Sequence, residues 1–152
     1  MAFSSPAGFS LLSEKGVEDA TELTISSNAV TIGDMLELDV GAVAWTDADA
    51  STEHWQLKAV ASETVASTAT VIKAQLVVPG QVWGGETANN SAAADNGDRM
   101  LLSYTNTVNN TGTDNTSEEA CVIQLVPFGA AAIKRIVCLI VLLSDACVHP
   151  AN

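Results

Sequence analysis

Hydrophobic and polar residues alternate with a period of two along much of the chain, as they do in half-buried β-strands. The clearest case is "ATVIKAQLVV" at residues 69–78, where one parity is almost entirely apolar. Shorter apolar runs recur along the chain, and clusters of Gly, Pro, Asn and Asp separate them. Strands of modest length with turn residues between them are typical of β-barrels and β-sandwiches, so the pattern predicts an all-β fold.

Four other segments refine this picture. Residues 29–45, "AVTIGDMLELDVGAVAW", predict a hairpin, because Asp and Gly separate two apolar runs. Residues 52–63, "TEHWQLKAVASE", fit either a helix or a strand, and the sequence leaves both open. Residues 84–99, "GGETANNSAAADNGDR", predict a long exposed connection. Residues 136–143, "IVCLIVLL", predict a strand that is buried on both faces.

The most polar stretch is "YTNTVNNTGTDNTSEE" at residues 104–119, between the apolar runs "RMLLSY" and "ACVIQLVPF". These two runs are expected to pair as neighbouring strands. Asn and Gly tolerate positive φ, and Asn and Thr side chains can bond their own backbone. The stretch therefore predicts a long hairpin tip that faces solvent or a neighbouring subunit. Its candidate inter-subunit residues are Asn109, Asn110 and Asp114, together with Trp83 on an earlier loop.

The N-terminal residues 1–28 show weak periodicity and predict an extended arm that ends in the short strand "TELTIS". Residues 29–152 are then a single β domain. Four isolated apolar residues of the arm are candidates for contact with a neighbouring chain: Phe3, Phe9, Leu11 and Leu12. A frayed terminus is the alternative interpretation of the same residues.

Composition and charge narrow the function classes. The 152 residues carry a formal net charge of -12, which disfavours binding to nucleic acid and to anionic membranes. The longest apolar run, residues 136–143, is too short to span a bilayer. The N-terminus lacks a basic segment followed by a continuous apolar one, which predicts synthesis in a cytoplasm. Cys121 and Cys138 lie in apolar surroundings and are expected to be buried thiols.

The sequence contains no complete motif for metal, nucleotide or hydrolytic chemistry. Asp47, Asp49 and Ser51 match the start of a calcium loop, but Thr52 and Lys58 stand where that loop requires Gly and Glu. Neither histidine adjoins a nucleophile motif, and N-x-[ST] sequences arise readily in Asn-rich and Thr-rich loops. The sequence therefore predicts no enzyme, no cofactor and no metal. A carbohydrate-binding or host-attachment module, using the Asn/Thr loops and a Trp, stays open as an alternative.

Several segments together resemble the small head decoration, or cement, proteins of tailed bacteriophages. They are the arm "FSSPAGFSLLSEKG", the strand entry "TIGDMLELDVGAV", and the later stretches "VVPGQVWGGETANNSAAADNGDRMLLS" and "NNTGTDNTSEEACVIQLVPFGAAAIKRIVCLIV". The resemblance spans most of the chain and consists of strand, loop and composition rather than a catalytic signature. The segment "SDACVHPAN" departs from the pattern.

The resemblance implies a small β-barrel or β-tulip domain that sits on the outer surface of an icosahedral capsid. Such a protein binds the major capsid protein after the shell expands, forms homo-oligomers that are often trimers, and resists the pressure of packaged DNA. Many copies of a modest interface would stabilise the shell by multivalency. The arm, through Phe3, Phe9, Leu11 and Leu12, is the expected contact with the capsid protein or a neighbouring subunit. The mature protein would be found in the virion.

Overall fold

The computed structural model describes residues 8–12, 20–26, 28–39, 41–53, 56–78, 80–113, 122–127 and 135–140. Within these residues the chain forms strands and a single 3-10 helix, with no α-helix. In chain order they are β1 (Ser10–Leu11), β2 (Thr21–Thr24), β3 (Met35–Leu38), β4 (Thr46–Asp47), β5 (Leu57–Ala61), β6 (Val71–Leu76), β7 (Trp83–Thr87), the 3-10 helix (Ala93–Asp95), β8 (Arg99–Tyr104), β9 (Thr107–Thr113), β10 (Val122–Pro127) and β11 (Arg135–Ile140). The predicted all-β fold is confirmed.

Five strands form an N-terminal sheet in the order β2-β6-β5-β3-β4, and every neighbouring pair is antiparallel. The sheet curls until its two outer strands approach each other. A parallel bridge between Ile25 and Trp45 joins the ends of β2 and β4. The N–H of Trp45 donates to Thr24 O at 2.9 Å, and the N–H of Ser26 donates to Trp45 O at 3.0 Å. The result is a small barrel-like sheet.

The other six strands form a C-terminal sheet in the order β1-β7-β11-β10-β8-β9. Strand β7 also pairs with β9 in parallel, through Glu86 with Thr107 and Thr87 with Val108. This extra pairing closes a ring of five strands: β7, β11, β10, β8 and β9. Strand β1 lies outside the ring, antiparallel to the first residues of β7.

The two faces of the N-terminal sheet belong to two different hydrophobic clusters. On neighbouring residues of β3 and β5, Leu36 and Ala59 contribute to a cluster inside the curled sheet, whereas Met35 and Val60 contribute to a cluster shared with the C-terminal sheet. Because both parities of β5 are buried, its sequence does not alternate. This explains why residues 52–63 fit two interpretations, of which the strand is correct.

A turn at Gly33 and Asp34 joins three parts of the fold. The N–H of Phe9 donates to Gly33 O at 2.9 Å. Asn106, in the tight β8–β9 turn, donates its Nδ2 hydrogen to Asp34 Oδ1 at 3.1 Å. The N–H of Met35 donates to Thr105 O at 2.7 Å. The N-terminal segment and the β8–β9 turn are therefore both fixed to the N-terminal sheet.

Two local predictions are confirmed by strand pairing. β3 and β4 form the expected antiparallel hairpin, although its second strand begins at Thr46, later than the apolar pattern suggests. β8 and β10 pair antiparallel, with Val122 opposite Met100, as expected for "RMLLSY" and "ACVIQLVPF". Cys138 is a buried thiol, as predicted, and Cys121 lies outside the described residues.

The prediction of a long hairpin tip at residues 104–119 is wrong for its first half. The chain turns at Thr105 and Asn106 and immediately forms β9, which pairs with β8. Val108 and Asn110 of β9 are buried, whereas Asn109 and Thr111 are more accessible. This strand is not evident from the sequence, because its buried positions include the polar residue Asn110. Residues 114–119, with Asp114, lie outside the described part of the chain.

The prediction of an exposed connection at residues 84–99 is also wrong at its start, where β7 is a central strand. Gly84 and Gly85 are buried in this strand. Gly84 is paired on both sides, with Ser10 of β1 and with Val137 of β11. Glycine in a strand interior often marks close approach of other chain segments, which polar composition alone does not reveal.

The described residues of the predicted arm belong to both sheets and do not form a separate unit. Strand β1 extends the C-terminal sheet, and β2, the expected "TELTIS" strand, pairs with β6 of the N-terminal sheet. Leu23 and Ile25 are core residues. The boundary at residue 28 is therefore not a structural division among the described residues.

Candidate contact surface

The predicted contact residues of the arm divide between the interior and the surface. Phe9 is only 3% exposed and belongs to the cluster shared by the two sheets. Leu11 packs against the same cluster, whereas Leu12 is 38% exposed. The structure therefore corrects the placement of Phe9, which is a core anchor and not an outward contact. Phe3 lies outside the described residues.

The arm residues Phe9 to Leu12 are held by backbone contacts at both ends. Besides the bond from Phe9 to Gly33, the N–H of Leu12 donates to Val82 O at 2.8 Å. Gly8 has φ +100°, and a Cβ there would lie 2.5 Å from Gly33 O. Only glycine fits this close approach without strain. Residues 8–12 therefore have a fixed position between Gly33 and Val82, and we call this position the N-terminal slot.

Trp83 is not on a loop. It is the first residue of β7, is only 1% exposed, and is paired with Leu11 on one side and Cys138 on the other. Its size and burial make it a core residue of the C-terminal sheet. This placement corrects its assignment to an inter-subunit loop and removes it as an exposed platform for a sugar.

Asn110 is buried, and its side chain links β9 to the segment after β7 by hydrogen bonds. Its Oδ1 accepts the N–H of Asn89 at 2.9 Å, and its Nδ2 donates to Asn90 O at 3.1 Å. A third contact joins Nδ2 to Asp95 Oδ2 at 3.5 Å. Asn110 therefore stabilises its own chain, which corrects its assignment as an inter-subunit contact. Asn109 is half-buried, and its Oδ1 accepts hydrogen bonds from the N–H and the hydroxyl of Thr111.

Replacement of Asn110 by alanine is expected to destabilise the protein by about 1–3 kcal/mol, because it removes the hydrogen bonds from a buried side chain to backbone groups of residues 89 and 90. Urea unfolding measures this difference. The matched control is Asn109→Ala, which removes only local bonds and should cost less than about 1 kcal/mol. Equal effects of the two substitutions would contradict this stabilising role of Asn110.

Acidic residues converge on the β3–β4 edge of the N-terminal sheet. Glu37 of β3 is buried, and its Oε2 has no hydrogen-bond partner among the described residues. Burial raises the pKa of Glu37 above 4.5; the Thr52 hydroxyl opposes this rise, and the charges of Asp39 and Asp49 add to it. The ammonium of Lys58, opposite Glu37 in the sheet, lowers that pKa slightly.

Lys58 itself is almost fully buried, and its Nζ donates to Glu53 O and Gln56 O at 2.8 Å each. These two carbonyls belong to the polar loop that precedes β5. A lysine in a strand centre reads from sequence as solvent-facing, so sequence analysis missed its role in holding this loop. Its signal was weak: a single cation inside an apolar run.

Asp47 of β4 shows a similar effect. Burial raises the pKa of Asp47, the nearby charge of Asp34 adds to the rise, and a hydrogen bond from Asn28 opposes it. The Asn28 Nδ2 lies 3.4 Å from Asp47 Oδ2, while Asp47 Oδ1 is buried and finds no partner in the described part of the chain. The edge therefore holds two carboxyl groups that favour protonation more strongly than in the unfolded chain.

Replacement of Glu37 by glutamine is expected to stabilise the protein at pH 7, on the order of 1 kcal/mol. The raised pKa means that the folded state binds a proton more tightly than the unfolded state, so the contribution of Glu37 to stability falls as pH rises above 4.5. The gain from Glu37→Gln should therefore shrink as the pH approaches 4.5.

Urea unfolding across this pH range measures the effect. The control is Glu22→Gln on the exposed side of β2, which should change the free energy of unfolding at pH 7 by less than about 0.5 kcal/mol. A destabilising effect of Glu37→Gln at pH 7 would contradict the account, because it would mean that the carboxylate is favourably paired.

Large apolar side chains are exposed at several separate points. Leu12 and Ile32, the latter 42% exposed, lie at or near the N-terminal slot. Val43 lies in the β3–β4 connection, and Tyr104, 71% exposed, lies at the end of β8. Leu57 and Val71 are the remaining ones in the described part of the chain. The slot is therefore where an exposed apolar surface meets the predicted contact segment.

The described residues bring together no group of three His, Cys, Asp or Glu side chains that could hold a metal ion. The partial calcium loop is instead a local turn, in which Asp49 Oδ1 accepts the N–H of Ser51 at 2.7 Å and its hydroxyl at 2.6 Å. Of the helical structure in the described residues, nothing is long and apolar enough to cross a membrane.

Comparisons of the chain with protein-family models, with curated proteins and with solved structures find no match. The architecture and the surface at the N-terminal slot are therefore the observations on which a functional conclusion rests, together with the resemblance carried by the sequence.

Proposed function

We propose that this chain is a structural virion protein that decorates the outer surface of an icosahedral phage capsid and clamps its major capsid subunits. In this proposal the protein is not an enzyme, needs no cofactor and acts as a homo-oligomer, such as a trimer. The resemblance to head decoration proteins and the all-β architecture support the proposal. A shell-stabilising protein requires a rigid body with a fixed contact segment, and many copies make a modest contact sufficient.

The observation that carries the proposal is the fixed N-terminal slot. Phe9 anchors the segment in the core, while Leu12 and the neighbouring Ile32 stay exposed. Gly8 lies against Gly33, the residue after Ile32, while residues 1–7 with Phe3 are outside the described part of the chain. We infer that this exposed apolar surface and the residues before Gly8 contact the capsid, and that Phe9 and Leu11 position them.

The charge distribution is compatible with this assignment. The net charge of -12 keeps a densely covered particle soluble, and it favours a partner surface that carries Lys or Arg. Apolar contacts at the slot would supply affinity, and the acidic surface would supply steering toward such a partner.

Replacement of Leu12 by aspartate is expected to weaken binding to expanded capsid shells by about tenfold or more, because it places a charge in an apolar contact. The shells should be assembled from the major capsid protein of the phage genome that carries this reading frame. Co-sedimentation over a range of protein concentrations gives the affinity. Removal of residues 1–7, which leaves Phe9 in place, should also weaken binding.

The matched control is Val43→Asp, since Val43 is 93% exposed and lies in the β3–β4 connection. It should bind as the wild type does. Urea unfolding of every variant separates loss of binding from loss of folding. Undiminished binding of both Leu12→Asp and the truncated chain would remove the N-terminal slot from the proposed contact.

A further inference from the structure

A cleft of about 300 Å³ lies beside the N-terminal slot. Its walls come from β1, β5, β6, β7 and the turn before β3. Phe9, Val60 and Trp83 line it with buried apolar surface, and Ile32 lines it as a more exposed residue. A volume of this size is at the lower end of small-molecule sites in proteins, which are mostly apolar and largely preformed.

The walls of the cleft are fixed by backbone contacts. Ser10 is paired with Gly84, and Gln75 is paired with Val60. The N–H of Ser62 donates to Lys73 O at 2.9 Å. The cleft therefore exists before any ligand binds, which lowers the entropic cost of binding.

Three polar side chains of the lining are available to a ligand. The hydroxyl groups of Ser10 and Ser62 and the amide of Gln75 line the cleft, and none of them hydrogen-bonds to another side chain or backbone group of the described residues. In such sites, a small number of polar groups on an otherwise apolar wall fixes the orientation of the ligand. Together they offer both donors and acceptors.

Among the described residues, no charged side chain lines the cleft, although the protein as a whole carries a net charge of -12. An ionic ligand would lose hydration there without gaining a charged partner, which is costly. The neighbouring cation on this face of β6 is Lys73, which is exposed and is not part of the lining.

We propose that the cleft is a binding site for a small neutral molecule with an apolar body and one hydroxyl or amide group. The apolar body would contact Phe9, Val60 and Trp83, and the polar group would bond to Gln75 and the two serines. The cleft borders the proposed capsid contact, since Ile32 belongs to both, but its lining does not include Leu12.

The probe series is benzyl alcohol, toluene, benzoate and benzylammonium, titrated into the full chain and followed by amide shifts in NMR spectra. Benzyl alcohol is expected to give saturable shifts at Ser10, Ser62 and Gln75, with a Kd of order 1 mM. Benzoate and benzylammonium should bind about tenfold more weakly or not at all, because each carries a charge into an uncharged cleft.

Two variants assign the contacts. Gln75→Leu should weaken benzyl alcohol several-fold and leave toluene unchanged or tighter, since only the polar group is lost. Ser62→Trp should block both probes. Ser67→Trp, at an exposed serine that does not line the cleft, is the matched control and should bind them normally.

The proposal is overturned if benzyl alcohol gives no saturable shift, or if its shifts map away from the cleft. It is also overturned if the charged probes bind as well as benzyl alcohol. Shifts at the same residues that depend on protein concentration without a probe would mean that a second copy occupies the cleft, and would likewise overturn it.

Discussion

Replacement of Phe9 by alanine is expected to destabilise the protein by about 3–5 kcal/mol, the usual cost of removing a buried phenylalanine. Phe9 lies in a segment that sequence analysis assigns to an extended arm, where such a change would have little effect on folding. In the structure its side chain is 3% exposed and belongs to the cluster that joins the two sheets. A shift of the urea midpoint, with an unchanged slope, would measure the loss.

Leu12→Ala is the matched control, because Leu12 lies three residues later and is 38% exposed. It should cost less than about 1 kcal/mol. If Phe9→Ala is as mild as Leu12→Ala, residues 8–12 are not fixed to the body of the protein. The slot would then be wrong, and with it the position of the proposed contact surface.

Replacement of Trp83 by alanine is expected to cost about 3–5 kcal/mol as well, and more if the surrounding strands do not collapse into the cavity. Trp83 is among the largest fully buried side chains of the described residues and stands between β1 and β11. Its loss would remove contacts on both sides of β7. Thermal and urea unfolding would both report the change.

Trp83→Phe separates the two parts of the indole. The Nε1 hydrogen of Trp83 is buried without an acceptor among the described residues, which costs about 1–3 kcal/mol in the wild type. Phenylalanine removes this unpaired donor while it keeps an aromatic ring, so the two effects should largely offset each other. If Trp83→Phe destabilises as much as Trp83→Ala, the interpretation of an unpaired indole is wrong.

Sequence alone predicts the parts of the fold in which one face is apolar and the other polar. β6 falls in this class, because burial on one face imposes a period of two. The β3–β4 hairpin is indicated instead by the Asp and Gly residues between two apolar runs. The pairing of β8 with β10 also follows, since both are apolar runs on either side of a polar stretch. These elements together are enough to assign the fold class.

The remaining elements depend on partners that are distant in sequence. β9 is a strand because Asn110 finds backbone partners at residues 89 and 90, and β7 accepts two glycines because β1 and β11 approach it closely. From the sequence, Phe9 is assigned to an extended arm, whereas in the structure its N–H donates to Gly33 O. Local pattern cannot show any of these contacts.

The candidate site was predictable only in part. The apolar spacing of the N-terminal segment drew attention to the correct stretch, but only the structure separates Phe9 and Leu11, which face inward, from exposed Leu12. Ile32, Ser62 and Gln75 carry no sequence signal, since each lies in an ordinary strand or turn. They line a cleft with β1 because Phe9 packs in the cluster shared by the two sheets and bonds to Gly33.

The central claim is that the folded chain coats expanded capsid shells. Cryo-electron microscopy of shells incubated with the wild-type protein tests it most directly, with unexpanded shells as the comparison. The account predicts added density on the outer surface at fixed lattice positions of expanded shells, and little or none on unexpanded shells. Bare expanded shells at saturating protein concentration would contradict it.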